Sequence, residues 1–148
     1  MRKIIKTLLL VAWMAVIYMF SAQNGQASTN TSNAVIQTIY NILNYVLNMN
    51  ILFSEFVIKS GHFIRKLAHF SEFFILGVLA VVTIKEYIAN RFVLYSIIFC
   101  GVYALSDELH QLFVDSRACS LTDVCIDISG ALLGILLYHL ISRKWKRE

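Results

Sequence analysis

Apolar residues run almost unbroken over four stretches of the chain, about 4–22, 63–84, 88–106 and 121–142. Each is close to the roughly 20 residues that an α-helix needs to cross the hydrocarbon of a bilayer. The first stretch carries Lys6 near its start, where a long side chain can reach back to the headgroups. The second carries His69 and Glu72 early, the third only Arg91 near one end, and the fourth Asp123 and Asp127 early. Arg2, Lys3 and Lys6 before an apolar run also fit a secretion signal, but a cut after Ala22 would place the bulky Phe20 at the −3 position. The first stretch is therefore expected to be a retained helix.

Between the first two stretches lie residues 23–62. Gln23 to Asn33 is rich in Asn, Ser, Thr, Gln and Gly and reads as a loop. From 34 to 53 the pattern turns amphipathic. Gln37, Asn41, Asn44 and Asn48 recur at helical spacing, opposite Val35, Ile36, Ile39, Ile42, Leu43, Val46 and Leu47. An uncharged polar stripe facing an apolar one suits a helix lying in the membrane interface. A fifth, re-entrant span is the alternative. There is no proline, so straight spans are expected.

Composition agrees. The 148 residues are enough for one domain, here the whole chain 1–148. Hydrophobic residues make up 58%, charged residues 15%, and the mean hydropathy is +0.67; a soluble domain carries about 25% charge. The predicted fold is all-α, a polytopic membrane four-helix bundle with an extra amphipathic interfacial helix. The net charge of +4 does not imply nucleic acid, because the basic residues sit at helix ends and termini. Nine of thirteen, namely Arg2, Lys3, Lys6, Lys85, Arg91, Arg143, Lys144, Lys146 and Arg147, fall on one side. Lys59, Arg65, Lys66 and Arg117 fall on the other. The positive-inside rule places the termini and the 85–91 turn in the cytoplasm, in a cytoplasmic membrane whose lipids are the first partners. Glu55, Glu72, Asp107, Glu108, Asp115, Asp123 and Asp127 all fall in the opposite, outer half. Cys100, Cys119 and Cys125 form no CxxC pair, and their odd number argues against a disulfide framework.

Two segments carry the candidate chemistry. In Arg65-Lys66-Leu67-Ala68-His69-Phe70-Ser71-Glu72, residues Lys66, His69 and Glu72 share one helix face and form a polar stripe entering the membrane from outside. Each is costly in hydrocarbon unless paired or hydrated. The second segment is Asp107-Glu108-Leu109-His110-Gln111, followed by Arg117, Asp123 and Asp127. Asp107 and Gln111 lie one turn apart, as do Asp123 and Asp127. Ser120-Leu121-Thr122-Asp123 fits a capping box starting the last helix. Gly130 and Gly134 form a GxxxG step that lets another helix approach closely. The topology brings both segments to one membrane level.

These segments, with Ser21-Ala22-Gln23 and Gly130, resemble the VanZ-like family: a basic residue, then His and Glu/Tyr positions in one helix, then Asp-Glu-x-x-Gln, Arg and Asp. The likeness covers almost the whole chain. It departs at Asp115-Ser116, where the family often has glycine or proline before the loop arginine. The family is named for a glycopeptide-resistance protein linked to teicoplanin. The resemblance implies a membrane protein acting at the cell surface, and it does not give a reaction.

Several roles fit this cluster. Acid–base chemistry would use His69, Glu72, Asp107, Glu108, Gln111 and Asp123, with Lys66, Arg117 and His110 holding a phosphate or carboxylate of an envelope or lipid-linked amphiphile. A non-enzymatic binder would grip glycopeptide or lipid head groups with the same residues. A purely structural network would use Lys66 and Arg117 to neutralise Glu72, Asp107 and Asp123. Imidazole with carboxylates suits zinc or manganese, but the spacing matches no named site, so neither a metal nor a cofactor is assigned. A transporter is disfavoured, because the inner half lacks polar residues for a path.

Overall fold

A computed structural model describes residues 1–47 and 52–144, all helical apart from short connections. The expectation for Asn48 lies outside the described residues, as do Lys146 and Arg147 of the basic tail. Five helices are described: α1 (Arg2–Ser21), α2 (Gly25–Leu47), α3 (Phe53–Tyr87), α4 (Phe92–Gln111) and α5 (Leu121–Lys144). Four contain stretches long and apolar enough to cross a membrane, at Arg2–Ser21, Ser60–Tyr87, Phe92–Gln111 and Leu121–Ser142.

The four spans alternate in direction, so α1 and α4 run one way and α3 and α5 the other. At one end Lys6 of α1 pairs with Glu86 of α3. There Lys85 reaches the Tyr138 hydroxyl at 3.3 Å and lies over the rings of Phe92 and Tyr138. The opposite end gathers the last turn of α1, the first half of the α3 span, the end of α4 and the start of α5. Helix α3 is central: its buried Phe73, Leu76, Ala80 and Val81 meet Ile17 of α1, Cys100 and Ala104 of α4, and Val124, Ala131 and Ile135 of α5. Most Leu, Ile and Val side chains elsewhere point outward, as a lipid-facing surface requires.

The closest packing is between α3 and α5, and glycine permits it. A Cβ on Gly130 would lie 2.2 Å from the carbonyl oxygen of Phe70, and one on Gly134 would lie 2.3 Å from that of Phe74. Gly77 of α3 answers them, 2.3 Å from the Ala131 carbonyl by the same measure. The GxxxG step thus sets α5 backbone against α3 backbone, the contact by which membrane helices associate where lipid removes the hydrophobic drive. Helix α1 is fixed by hydrogen bonds in both directions: its own Trp13 Nε1 donates to the Glu72 carbonyl of α3 at 2.9 Å, and the Tyr103 hydroxyl of α4 donates to its Met14 carbonyl at 2.7 Å.

The segment before α3 departs from the expectation. Residues 23–33 are not a loop; helix α2 already begins at Gly25. Asn24 caps it by accepting from the Ala27 amide at 2.8 Å. The hydroxyls of Thr29, Thr31 and Ser32 then turn back onto the carbonyls of Gly25, Ala27 and Ser28, so residues that signal a turn are satisfied within a helix. Within the expected segment 34–53, α2 is described as far as Leu47, and Phe53 already starts α3. Helix α3 has 35 residues, about 52 Å at 1.5 Å per residue, and so extends well beyond the span expected at 63–84. The extension packs antiparallel on α2, with Tyr40 against the rings of Phe53 and Phe56 and Ile36 buried against Gly61. The third span begins at Phe92 rather than 88, after a left-handed Arg91 (φ 59°), and continues to Gln111.

Ser116 is also left-handed (φ 62°). Glycine adopts this region without strain, so Ser116 holds a conformation that residues with a Cβ rarely take. The turn docks α2 directly, as the Gly25 amide donates to the Asp115 carbonyl at 3.1 Å.

Candidate functional site

At the polar end, α1, α2, α3, α4 and the 112–120 turn enclose a cavity of about 170 Å³. Ile17, Phe20, Val35, Ile64 and Ala68 make its apolar wall. Arg65, His69 and Glu72 of α3, Asp107 of α4 and Arg117 of the turn make its polar one, with Gln23 and the hydroxyls of Ser28, Thr31 and Ser32. The misread start of α2 thus supplies one side of the site.

Arg117 organises the rim. Its Nε donates to the Gln23 carbonyl at 3.1 Å, Nη2 to the Phe20 carbonyl at 3.2 Å, and Nη1 to Gln111 Oε1 at 3.3 Å. Gln111 passes the contact on, donating from Nε2 to Asp107 Oδ2 at 3.2 Å. Burial and the neighbouring Arg65 guanidinium pull the Arg117 pKa below its ordinary value, against the opposing pull of Asp107, Glu108 and Glu72. Two guanidiniums therefore face one cavity, Arg65 held there by only a 3.4 Å contact to Thr29 Oγ1.

Behind the cavity wall lies a tight set of acids. Glu108 is buried, and its Oε2 accepts from the Ser120 amide at 2.8 Å. The acid on the N-cap amide of α5 thus comes from α4, not from Asp123 as the capping-box reading expected. Asp123 instead faces Lys66, with Nζ 3.6 Å from its Oδ1. Asp127, one turn deeper in α5, is fully buried and lies 3.8 Å from His69 Nδ1. Sequence reasoning left Asp127 out of the candidate set. Its depth was the available signal, since a carboxylate costs more the further it enters the hydrocarbon.

The expected residues therefore divide. His69, Glu72, Asp107 and Arg117 line the cavity; Gln111 and Glu108 stand directly behind it. Lys66 and Asp123 pair beside it, and His110 packs on the Tyr18 ring with centroids 4.8 Å apart, away from the lining. Lys66–Asp123 is an ion pair of lysine with acid at this end. A structural ion-pair network would neutralise the buried acids, and among the described residues no lysine or arginine pairs with Glu72, Asp107, Glu108 or Asp127. The pair itself is partly exposed, so Lys66→Gln is expected to lower stability by no more than about 1 kcal/mol, measured as thermal unfolding in detergent.

An all-helical membrane protein with four candidate spans and a polar site confined to one end is the class that this architecture defines. A family model described as VanZ/LLP1 matches residues 6–142, and the chain belongs to that family. No curated protein and no solved structure matches it.

Proposed function

We propose that the protein binds the anionic head of a membrane amphiphile in this cavity and exchanges protons with it through Glu72. The observation that carries the proposal is the lining: two guanidiniums, three titratable groups and five apolar side chains face one space. At about 170 Å³ the space is smaller than the roughly 300 Å³ of a drug-sized pocket. It takes a head group and leaves the tail to the lipid. Guanidiniums suit phosphate or carboxylate. The distribution of lysine and arginine favours a site at the outer face of the cytoplasmic membrane, with both termini inside. The ligand class is then an envelope or lipid-linked amphiphile. A link to glycopeptides such as teicoplanin would run through that component, because a whole glycopeptide exceeds the cavity.

The test is titration of the purified full chain with dodecyl phosphate, against dodecyl maltoside as the neutral control. Saturable binding of the phosphate alone is expected, weakened about tenfold or more by Arg65→Ala, since a charge-assisted hydrogen bond contributes about 1.5–3 kcal/mol. Equal binding of both amphiphiles, or indifference to Arg65→Ala, overturns the reading. Exposed Cys119 reports the orientation: a membrane-impermeant maleimide should label it in intact cells. Cells making the protein should tolerate more teicoplanin than cells making Glu72→Gln. Equal susceptibility would remove the glycopeptide link and leave the amphiphile site standing.

A further inference from the structure

We infer that Asp107, Glu108 and Asp127, with His69, form a binding site for one divalent cation of the manganese–zinc class. One carboxylate oxygen from each acid lies within 4.8 Å of the others. Donors about 2.0–2.2 Å from a shared ion stand up to about 4.4 Å apart across it, so small side-chain shifts close this set around a metal.

The cluster is more than a group of acids. Asp127 is wholly buried and neither of its oxygens has a hydrogen-bond partner. Glu108 Oε1 is likewise buried and without a partner, and so is His69 Nδ1, an imidazole nitrogen 3.8 Å from Asp127 on another helix. Buried polar atoms in native proteins are almost always partnered. Ser21 Oγ, His110 Nε2, Asp123 Oδ1 and His139 Nδ1 are unpartnered too, but only the acids of this set stand within 4.8 Å of one another, with His69 Nδ1 3.8 Å from Asp127.

The partnered atoms are those on the far side. Glu108 is held through Oε2 by the Ser120 amide, and Asp107 through Oδ2 by Gln111, itself held by Arg117. Metal ligands are typically oriented in this way, by a second ring of hydrogen bonds that leaves the inner atom free. Charge argues the same way. Three carboxylates in an apolar bundle need compensation, and two cations of this end are otherwise engaged: Lys66 with Asp123, and Arg117 with two carbonyls and Gln111. Carboxylates with one imidazole favour manganese or zinc over calcium. Asp107 belongs both to this set and to the cavity lining, so the ion stands at the cavity floor. Only its contact with an amphiphile head rests on the function proposed above.

The experiment uses the full chain in detergent, stripped with a chelator and titrated with Mn²⁺, with bound ion counted by electron paramagnetic resonance. One ion per chain is expected, together with a raised Tm and a nitrogen coupling that disappears in His69→Gln. Asp127→Asn should weaken binding by at least about 100-fold, whereas Glu72→Gln, outside the set, should keep it. Should Asp127→Asn fail to fold, Glu108→Gln and Asp107→Asn carry the same expectation. No bound Mn²⁺, or affinity unchanged in the ligand variants, overturns the site. Dodecyl phosphate binding measured on the stripped protein separates this outcome from failure of the amphiphile reading.

Discussion

Replacing Gly130 with alanine is expected to destabilise the bundle by about 1–3 kcal/mol, and replacing it with leucine to prevent assembly. A Cβ there meets the Phe70 carbonyl at 2.2 Å, with further backbone atoms of Phe70 and Phe74 at 3.1 and 3.2 Å. Backbone cannot turn aside as a side chain can, so α3 and α5 must separate. Gly101 is the internal control, because nothing lies within 4 Å of a Cβ built on it. Gly101→Ala should be neutral or stabilising by up to about 1 kcal/mol, the ordinary gain in helix propensity. Thermal unfolding of the two alanine variants in detergent decides the matter, and equal stability would refute the backbone contact. The effect should also reach the site. Gly130 follows Asp127 by three residues and Phe70 directly follows His69, so separated helices draw His69 away from Asp127.

That contact was legible in the sequence because GxxxG has one common use between apolar helices. The spans were legible for a similar reason: an unbroken apolar run about 20 residues long has few other homes. The polar end followed from direction, since alternating spans bring 65–72, 107–117 and 123–127 to one level. What misled was composition read locally. Residues 25–33 carry the Ser, Thr and Asn of a turn, yet their hydroxyls bond carbonyls four residues back and their helix forms a cavity wall. Helical spacing puts Asp123 and Asp127 on one face, and only depth along the helix, one turn, separates two residues of different fate. Asp123 reaches a lysine near the surface, whereas Asp127 enters the helix interface opened by the glycines. Arg65 was counted for its charge and not placed at the site, because only the docking of α2 reveals that it faces the cavity.

Arg117→Lys should lower stability by about 2 kcal/mol although it preserves the charge. Helix α1 has no basic residue in its last turn, and its Phe20 carbonyl accepts a long 3.3 Å bond from the Gln23 amide, so a charged donor from elsewhere strengthens this end. Arg117 supplies one from more than 90 residues away: Nη2 meets the Phe20 carbonyl, Nε that of Gln23, and Nη1 remains for Gln111. A planar fork makes these contacts together, whereas a lysine ammonium on a flexible stem concentrates its donors at one point. Hydrogen bonds from a charged donor contribute about 1.5–3 kcal/mol each when buried; half-exposure of Arg117 holds the total to the lower figure. The readouts are Tm and hydrogen exchange at the end of α1, which should accelerate in Arg117→Lys. Wild-type Tm and exchange in that variant would show that the fork is not what fastens α1. Arg65→Ala separates fastening from binding. Among the described residues Arg65 makes one long contact, to a threonine hydroxyl, so its loss should leave Tm unchanged and weaken dodecyl phosphate binding. The two arginines share a cavity and a charge. One fastens the helix end that forms the wall, while the other is free to meet what enters.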